Sequence, residues 1–295
     1  MGRLLIAGTS LALLASAGSV SGGSAQSATP IRVDSAGYIT VGNDSIFFET
    51  AGTGPVIVLI HDGLVHREIW DAQFARLSET HRVIRYDRRG YGNSTPATGT
   101  YSNLDDLDRL FAALGVDSAC LIGMSSGGRL AIDFTLRYPG RVTGLVLVGA
   151  VVGGLPYTQH FYTRGGHLPG GLTDMEQRRA WFAAEDPYEI YAENRSARAR
   201  VTQLVARFPY RDRSTHRAAS PAPPAVQRLR EIQVPTLILV GEFDIPDVHA
   251  HAGAIAAGIA GSTRDIVPRA GHLIPIEQPA LFNEAVLAFL GGLSE

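Results

Sequence analysis

Residues 118–128 read Ser-Ala-Cys-Leu-Ile-Gly-Met-Ser-Ser-Gly-Gly. Ala119 to Ile122 is a short apolar run of strand type, and Leu130, Ile132 and Phe134 open a helical pattern directly after the glycines. Between them, Gly123-Met124-Ser125-Ser126-Gly127 fits G-x-S-x-G. Strand, sharp turn and helix is the context in which that pattern puts a serine at the head of a strained turn. A serine hydroxyl is a weak nucleophile and must stand clear of its own backbone to meet a base, so the turn must be tight and its neighbours small. Gly123 and Gly127 meet that need. The following helix aims free N–H groups and its positive end at the same point, where an oxyanion would form. Glycine is abundant, 33 of 295 residues, so the pattern does not decide the case alone, and a His, an acid and an oxyanion loop must be sought in the right order elsewhere.

Outward from this turn the chain alternates strands and helices. Gly37 to Val41 and Ser45 to Thr50 are β-rich runs separated by Gly42-Asn43-Asp44, a hairpin signal. Val56 to Ile60 is a continuous apolar run ending in His61-Asp62-Gly63, and Ile69, Trp70, Phe74 and Leu77 form the apolar side of a helix. Arg82 to Tyr86 is a strand that ends in Asp87-Arg88-Arg89-Gly90-Tyr91-Gly92-Asn93-Ser94. Ser102 and Asp105 form a capping-box signal for a helix through Leu104, Leu107, Leu110, Phe111 and Leu114, which Gly115 stops. Gly144 to Gly149 is a further buried strand. After a break in the rhythm, Pro235 to Val240 and Arg264 to Val267 read as strands, Val248 to Ile259 as a helix, and a last helix runs from near Pro279 to Gly291. The pattern predicts an α/β protein: a mostly parallel central sheet with helices on both faces. Ligand chemistry in such sheets gathers at the carboxyl ends of the strands.

The break between about Val152 and Gln227 holds Gly-rich and Pro-rich loops, helix-like stretches, and an Arg-rich run from Arg195 to Arg213. It is expected to be an inserted helical cap. The expected organisation is therefore a signal segment 1–25, a first core part 26–151, a cap 152–227 and a second core part 228–295. Arg3, the apolar run Leu4 to Ala17 and small residues up to Gly23-Ser24-Ala25 predict a secretory signal cleaved after Ala25, hence a periplasmic or secreted protein. That run is short for a membrane span of about 20 residues, no later stretch is longer, and stable membrane insertion is not expected.

Composition narrows the chemistry. Hydrophobic residues at 45% indicate a globular core, and a net charge of −2 gives no electrostatic ground for nucleic-acid binding. The chain has no lysine, which excludes Schiff-base lysines, Ser-Lys dyads and a P-loop lysine. Cys120 is the single cysteine, so no intramolecular disulfide can form, and its place in the strand run indicates a buried thiol. No Cys/His cluster has metal-ligand spacing, and no metal or organic cofactor is expected.

Two further stretches supply the missing partners. Gly241-Glu242-Phe243-Asp244 follows the strand at Pro235 to Val240, and Ala270-Gly271-His272 follows the next short strand. With HDG at 61–63, DRRGYGNS at 87–94 and GMSSG at 123–127, these motifs, from about Ile31 to the C-terminus, resemble the α/β-hydrolase fold superfamily, with its triad order Ser…Asp…His. The resemblance implies Ser125 as nucleophile, His272 as base and Asp244 as the acid that orients it, with Glu242 and Asp247 as competing acids. It further implies an oxyanion hole made by the backbone N–H of Ser126 and that of Gly63, or alternatively of Leu64. His61 reads as a loop-ordering residue, and Asp87, Arg88 and Arg89 as structural. The family usually has His-Gly where this chain has His61-Asp62; Asp62 either braces the loop by hydrogen bonds or projects into the pocket.

A serine at the turn argues against haloalkane dehalogenases and epoxide hydrolases of this fold, which use aspartate there. A small or medium carboxylic ester or lactone is the expected substrate class. C–C hydrolysis of β-diketone-like compounds, perhydrolysis, iminopeptidase-like amide cleavage and a non-catalytic ligand-binding role remain as alternatives. Asp62, Met124, Trp181 and Tyr188 are candidate pocket residues. Phe161, Tyr162, Tyr191, Phe208 and Tyr210 either line an acyl pocket or pack the cap onto the core. Glu185, Asp186, Glu189 and Glu193 read as a solvated face or, alternatively, as a grip on an amino terminus.

Overall fold

The computed structural model describes residues 31–209 and 222–293; the expected signal segment 1–25 and Tyr210 lie outside them. In chain order its regular elements are β1 (Ser35–Val41), β2 (Asp44–Ala51), β3 (Val56–Ile60), α1 (Asp71–Leu77), β4 (Arg82–Tyr86), α2 (Asn103–Ala113), β5 (Ala119–Met124), α3 (Ser126–Arg137) and β6 (Val142–Val148). There follow α4 (Gln159–Thr163), α5 (Met175–Ala184), α6 (Arg195–Arg207), β7 (Thr236–Gly241), α7 (Pro246–Gly258), β8 (Thr263–Val267), α8 (Ile274–Glu277) and α9 (Pro279–Gly292). The strands form one sheet of order β1-β2-β4-β3-β5-β6-β7-β8. Only the β1–β2 and β2–β4 pairs are antiparallel; from β4 to β8 every pair is parallel.

The near-continuous apolar reading of β3, β5 and β7 has its cause in this sheet, which is covered on both sides. Along β3, Val58 and Ile60 enter a core shared with Leu107, Phe111, Phe134 and Ile255 of α2, α3 and α7. Ile57 and Leu59 enter the opposite core, with Phe74 of α1 and Phe282 and Val286 of α9. The same alternation sends Cys120, Ile122 and Met124 of β5 to the second core. Cys120 is buried there, and burial pushes its thiol up to about 12.

Caps set the helix starts. Ser102 Oγ accepts from Asp105 N at 3.3 Å, Asp174 from Gln177 N at 3.0 Å, and Asn194 from Ala197 N at 3.1 Å. The short α8 was not anticipated, because four residues are too few to show a period. Helices α4 to α6 stand between β6 and β7, and α6 sends Ala197, Val201, Leu204 and Val205 into the core that α1 and α9 share. Ion pairs Arg200–Asp71 (2.7 Å) and Arg207–Glu68 fix the outer side of the same helix. No helix among the described residues is long and apolar enough to cross a membrane.

Candidate active site

Ser125 closes β5 with φ 53° and ψ −117°, a backbone conformation L-residues rarely adopt. Its neighbours explain how the strain persists. A Cβ at Gly123 would lie 2.6 Å from the Gly127 carbonyl oxygen, and one at Gly127 would collide with the carbonyls of Ile60 and His61 at the end of β3. Ser125 N donates to Val148 O at 2.9 Å, which ties the turn to β6. The turn is therefore packed between two strand ends that leave no room for side chains.

His272 reaches the same rim from the loop after β8. Its Nδ1 is 2.7 Å from Asp244 Oδ2, beyond the end of β7, and the other oxygen, Oδ1, accepts from Ile245 N at 2.7 Å. A carboxylate at Nδ1 keeps the proton there and leaves Nε2 to accept another. Burial disfavours the imidazolium, but the charge and hydrogen bond of Asp244, with Glu189 and Asp62 adding, outweigh it and hold the His272 pKa above its ordinary value. The other two acids point elsewhere. Glu242 accepts from Arg269 N at 2.9 Å on the surface, and Asp247 accepts from Thr158 N and Thr158 Oγ1.

The loop after β3 is held by a net of hydrogen bonds. Asp62 Oδ2 accepts from Leu64 N at 2.7 Å and Oδ1 from Val65 N at 3.2 Å. This occupies the Leu64 N–H and removes it as a free donor. The Asp62 carbonyl accepts from His61 Nδ1 at 2.8 Å and from Arg88 Nη2. In a trans peptide the next N–H points opposite to that carbonyl. The Gly63 N–H accordingly faces away from Arg88, and it donates to no acceptor among the described residues. The Ser126 N–H, first in α3, is likewise unengaged. Arg88 Nη2 also donates to Ser126 Oγ at 2.9 Å, so one guanidinium joins the β3 loop to the serine turn. His61 Nε2 accepts from Arg88 N at 3.0 Å, which makes His61 neutral and structural.

A cavity of about 440 Å³ opens over these groups, lined by Asp62, Gly63, Ser125 and His272 from the sheet's rim. Phe161, Tyr162, Arg164, Arg178, Phe182 and Glu189 of the segment between β6 and β7 enclose it. Of the pocket candidates read from sequence, Asp62 both lines the cavity and braces the loop. Met124 does not line it, since strand alternation buries its side chain in the core on the α1 side. Trp181 is on a different side of α5 from Phe182 and packs edge-on against it. Tyr188 joins the core on the α3 side and its hydroxyl meets His160 Nε2 at 3.3 Å. Tyr191 stacks on Phe243, and Phe208 packs edge-on against His66.

The four acids of this segment separate. Glu185 and Glu193 are exposed, whereas Asp186 and Glu189 are buried and pair with Arg164 at 2.8 and 2.7 Å. Burial pushes the Glu189 carboxyl up to about 7. The solvated-face reading therefore fails for Asp186 and Glu189; an arginine from a distant turn, invisible to local periodicity, draws both inside. The backbone here also holds the histidine. His272 N donates to Tyr188 O at 2.8 Å and to Glu189 O at 3.1 Å, and Gly271 N donates to the Glu277 carboxylate. Glu277 and Gly149 carry no motif signal. Gly149, at φ +48°, packs so close that a Cβ there would lie 3.0 Å from His272 Nδ1.

Among the described residues no group of His, Cys, Asp and Glu side chains could hold a metal ion. A hydroxyl on a strained turn, an imidazole oriented by a carboxylate and two unengaged N–H groups on one rim can together support attack on a carbonyl carbon.

Residues 57–285 match the model of the alpha/beta hydrolase family. The chain belongs to that family. Carboxylesterase YbfK of Bacillus subtilis is 29% identical over 249 residues, 81% of each chain. The 2-hydroxy-6-oxononadienedioate/2-hydroxy-6-oxononatrienedioate hydrolase of Klebsiella pneumoniae is 31% identical over 255 residues, covering 79% of this chain and 86% of that one. A solved structure of an N-acyl homoserine lactone degrading enzyme superposes with a TM-score of 0.70 at 25% identity, covering 86% of this chain and all of the other. Alpha/beta hydrolases similar to this chain thus include esterases, lactone-degrading enzymes and other hydrolases.

Proposed function

We propose that the chain is an exported serine hydrolase that cleaves a small or medium carboxylic ester or lactone through an acyl-enzyme. The observation that carries this reading is that His272, hydrogen-bonded to the buried Asp244, lines the same cavity as the strained Ser125. Ser125 Oγ attacks the acyl carbon while His272 Nε2 takes its proton. The N–H groups of Gly63 and Ser126 hold the oxyanion, and loss of one such donor costs about 3 kcal/mol of transition-state stabilisation. His272 then returns the proton to the leaving oxygen, and water, activated by the same imidazole, releases the acid. The apolar wall of Leu64, Val151, Phe161 and Ile245 suits an acyl chain. Export rests on Arg3 and the apolar run Leu4 to Ala17.

A fluorophosphonate probe on the protein is expected to give one adduct, at Ser125, identified by peptide mass. An intact protein that takes no adduct, and no ester or lactone turned over, would favour the binding-protein alternative. Turnover of vinylogous diketones without simple esters would instead select C–C hydrolysis.

Gly149 offers a test of the packing behind the pair. Gly149→Ala forces a side chain into a left-handed conformation, at about 1–2 kcal/mol, and against the His272 ring. The variant should melt several degrees lower and lose about 10- to 100-fold in kcat, since a small displacement of a catalytic group has effects of that size. Thermal melts and p-nitrophenyl butyrate assays check both.

A further inference from the structure

Helix α5 turns Met175, Arg178, Arg179 and Phe182 toward the cavity. These are positions i, i+3, i+4 and i+7, the stripe that in an amphipathic helix is normally apolar. Two of the four are arginines, and they differ in what they do. Arg179 is committed: Nη2 donates to Leu64 O at 3.0 Å and Nη1 to Phe208 O at 3.2 Å. It thereby braces the loop that presents Gly63. Arg178 is not committed. Its side chain makes no hydrogen bond, ion pair or ring contact with any described residue, and its Nε is shielded from solvent without an acceptor.

An unpaired guanidinium on an inward stripe is disfavoured, because a partly desolvated cation gains nothing in return. One or two positions along the helix, at the exposed Gln177 or Ala180, the same charge would be hydrated. The other charges on the wall already have partners. Glu189 pairs with Arg164, and both Asp62 oxygens accept backbone N–H groups. Arg178 is thus the one wall cation among the described residues whose donors are all unclaimed. We infer that Arg178 is the anchor for a carboxylate that the substrate carries in addition to the acyl group under attack. One guanidinium matches one carboxylate in charge and in planar, two-point geometry. A dianionic phosphate would need more positive charge than a wall that also carries Asp62 and Glu189 supplies.

This inference names the substrate class for the proposed hydrolase and rests on that function for its kinetic test. Half-esters of adipate and pimelate with p-nitrophenol, too long to cyclise readily on themselves, are compared with the hexanoate and heptanoate esters of matched length. The ratio of kcat/KM, anionic over neutral, is the readout, since general damage to the enzyme cancels in it. Arg178→Gln should lower that ratio about 10- to 100-fold, the range a charge-assisted hydrogen bond spans. Arg178→Lys should keep part of it and Arg178→Glu should drive it below that of Arg178→Gln. An unchanged ratio in Arg178→Gln overturns the proposal. A second measurement needs no turnover: calorimetric titration of the Ser125→Ala protein with adipate monomethyl ester, with and without Arg178→Gln. Binding that depends on Arg178 upholds the anchor even if no ester is hydrolysed; equal binding, or none to either protein, overturns it. Absence of all ester turnover with intact Arg178-dependent binding would sink the hydrolase reading alone.

Discussion

Replacing Ser125 with alanine is expected to lower turnover of p-nitrophenyl butyrate by about 10⁵- to 10⁶-fold, as loss of a triad nucleophile does. The same change should leave the fold intact. The Ser125 hydroxyl makes no hydrogen bond with the described residues, so its removal leaves no partner stranded. Alanine keeps the Cβ, and the backbone at φ 53° remains pinned by the Ser125 N–H to Val148 and by the packing of Gly127 against β3. A melting temperature within about a degree or two of the parent is expected, as for changes that remove no buried contact. What the variant loses is the attacking atom, and with it the fluorophosphonate adduct. Near-parental turnover in Ser125→Ala would overturn the proposed chemistry outright.

The second large effect is expected for Asp244→Asn, about 10⁴-fold in kcat. Asp244 Oδ2 accepts the Nδ1 proton at 2.7 Å, and its side chain is fully buried. An amide can turn its NH₂ to Nδ1, which moves the ring proton to Nε2 and removes the lone pair that must accept from Ser125. The pH profile should report the same change. In the parent, Asp244 holds the His272 pKa above the ordinary value, so kcat/KM should rise through neutral into the alkaline range as the imidazolium loses its proton. With Asn at 244 that support is gone while burial remains, and the residual activity should rise at lower pH. Glu242→Gln is the control. Its carboxylate holds only Arg269 N at the surface, and a change within about threefold is expected for a substitution so placed. A mild effect at Asp244 and a large one at Glu242 or Asp247 would reassign the acid.

The sheet and the rim were open to reading because their signals are local. Continuous apolar runs mark β3, β5 and β7, and Ser125, Asp244 and His272 each follow a strand end within a few residues. What lay beyond reach depends on residues distant in sequence. Arg88 ties Asp62 to Ser126 across two loops, and Arg179 reaches Leu64 from α5. Arg164 draws Asp186 and Glu189 inside, where their spacing had suggested water. Met124 was misplaced because motif adjacency and side-chain direction differ: the residue before Ser125 still belongs to the strand, and its pleat points to the core. Trp181 was misplaced because a helix as short as α5 leaves its facing undetermined until packing is known, and Tyr188 because it stands in the turn after α5, where no period sets a side chain's direction.

The carbonyls of Tyr188 and Glu189 accept the main-chain N–H of His272. The stretch between β6 and β7 thus serves the histidine's main chain as well as the pocket wall. A graft that replaced the whole stretch would have to place two carbonyls again for the histidine's N–H along with the pocket wall. A redesign of the substrate range is better confined to single replacements at Met175 and Arg178 on the inward face of α5, which leave both carbonyls, and the Arg164 on which Phe182 packs, in place.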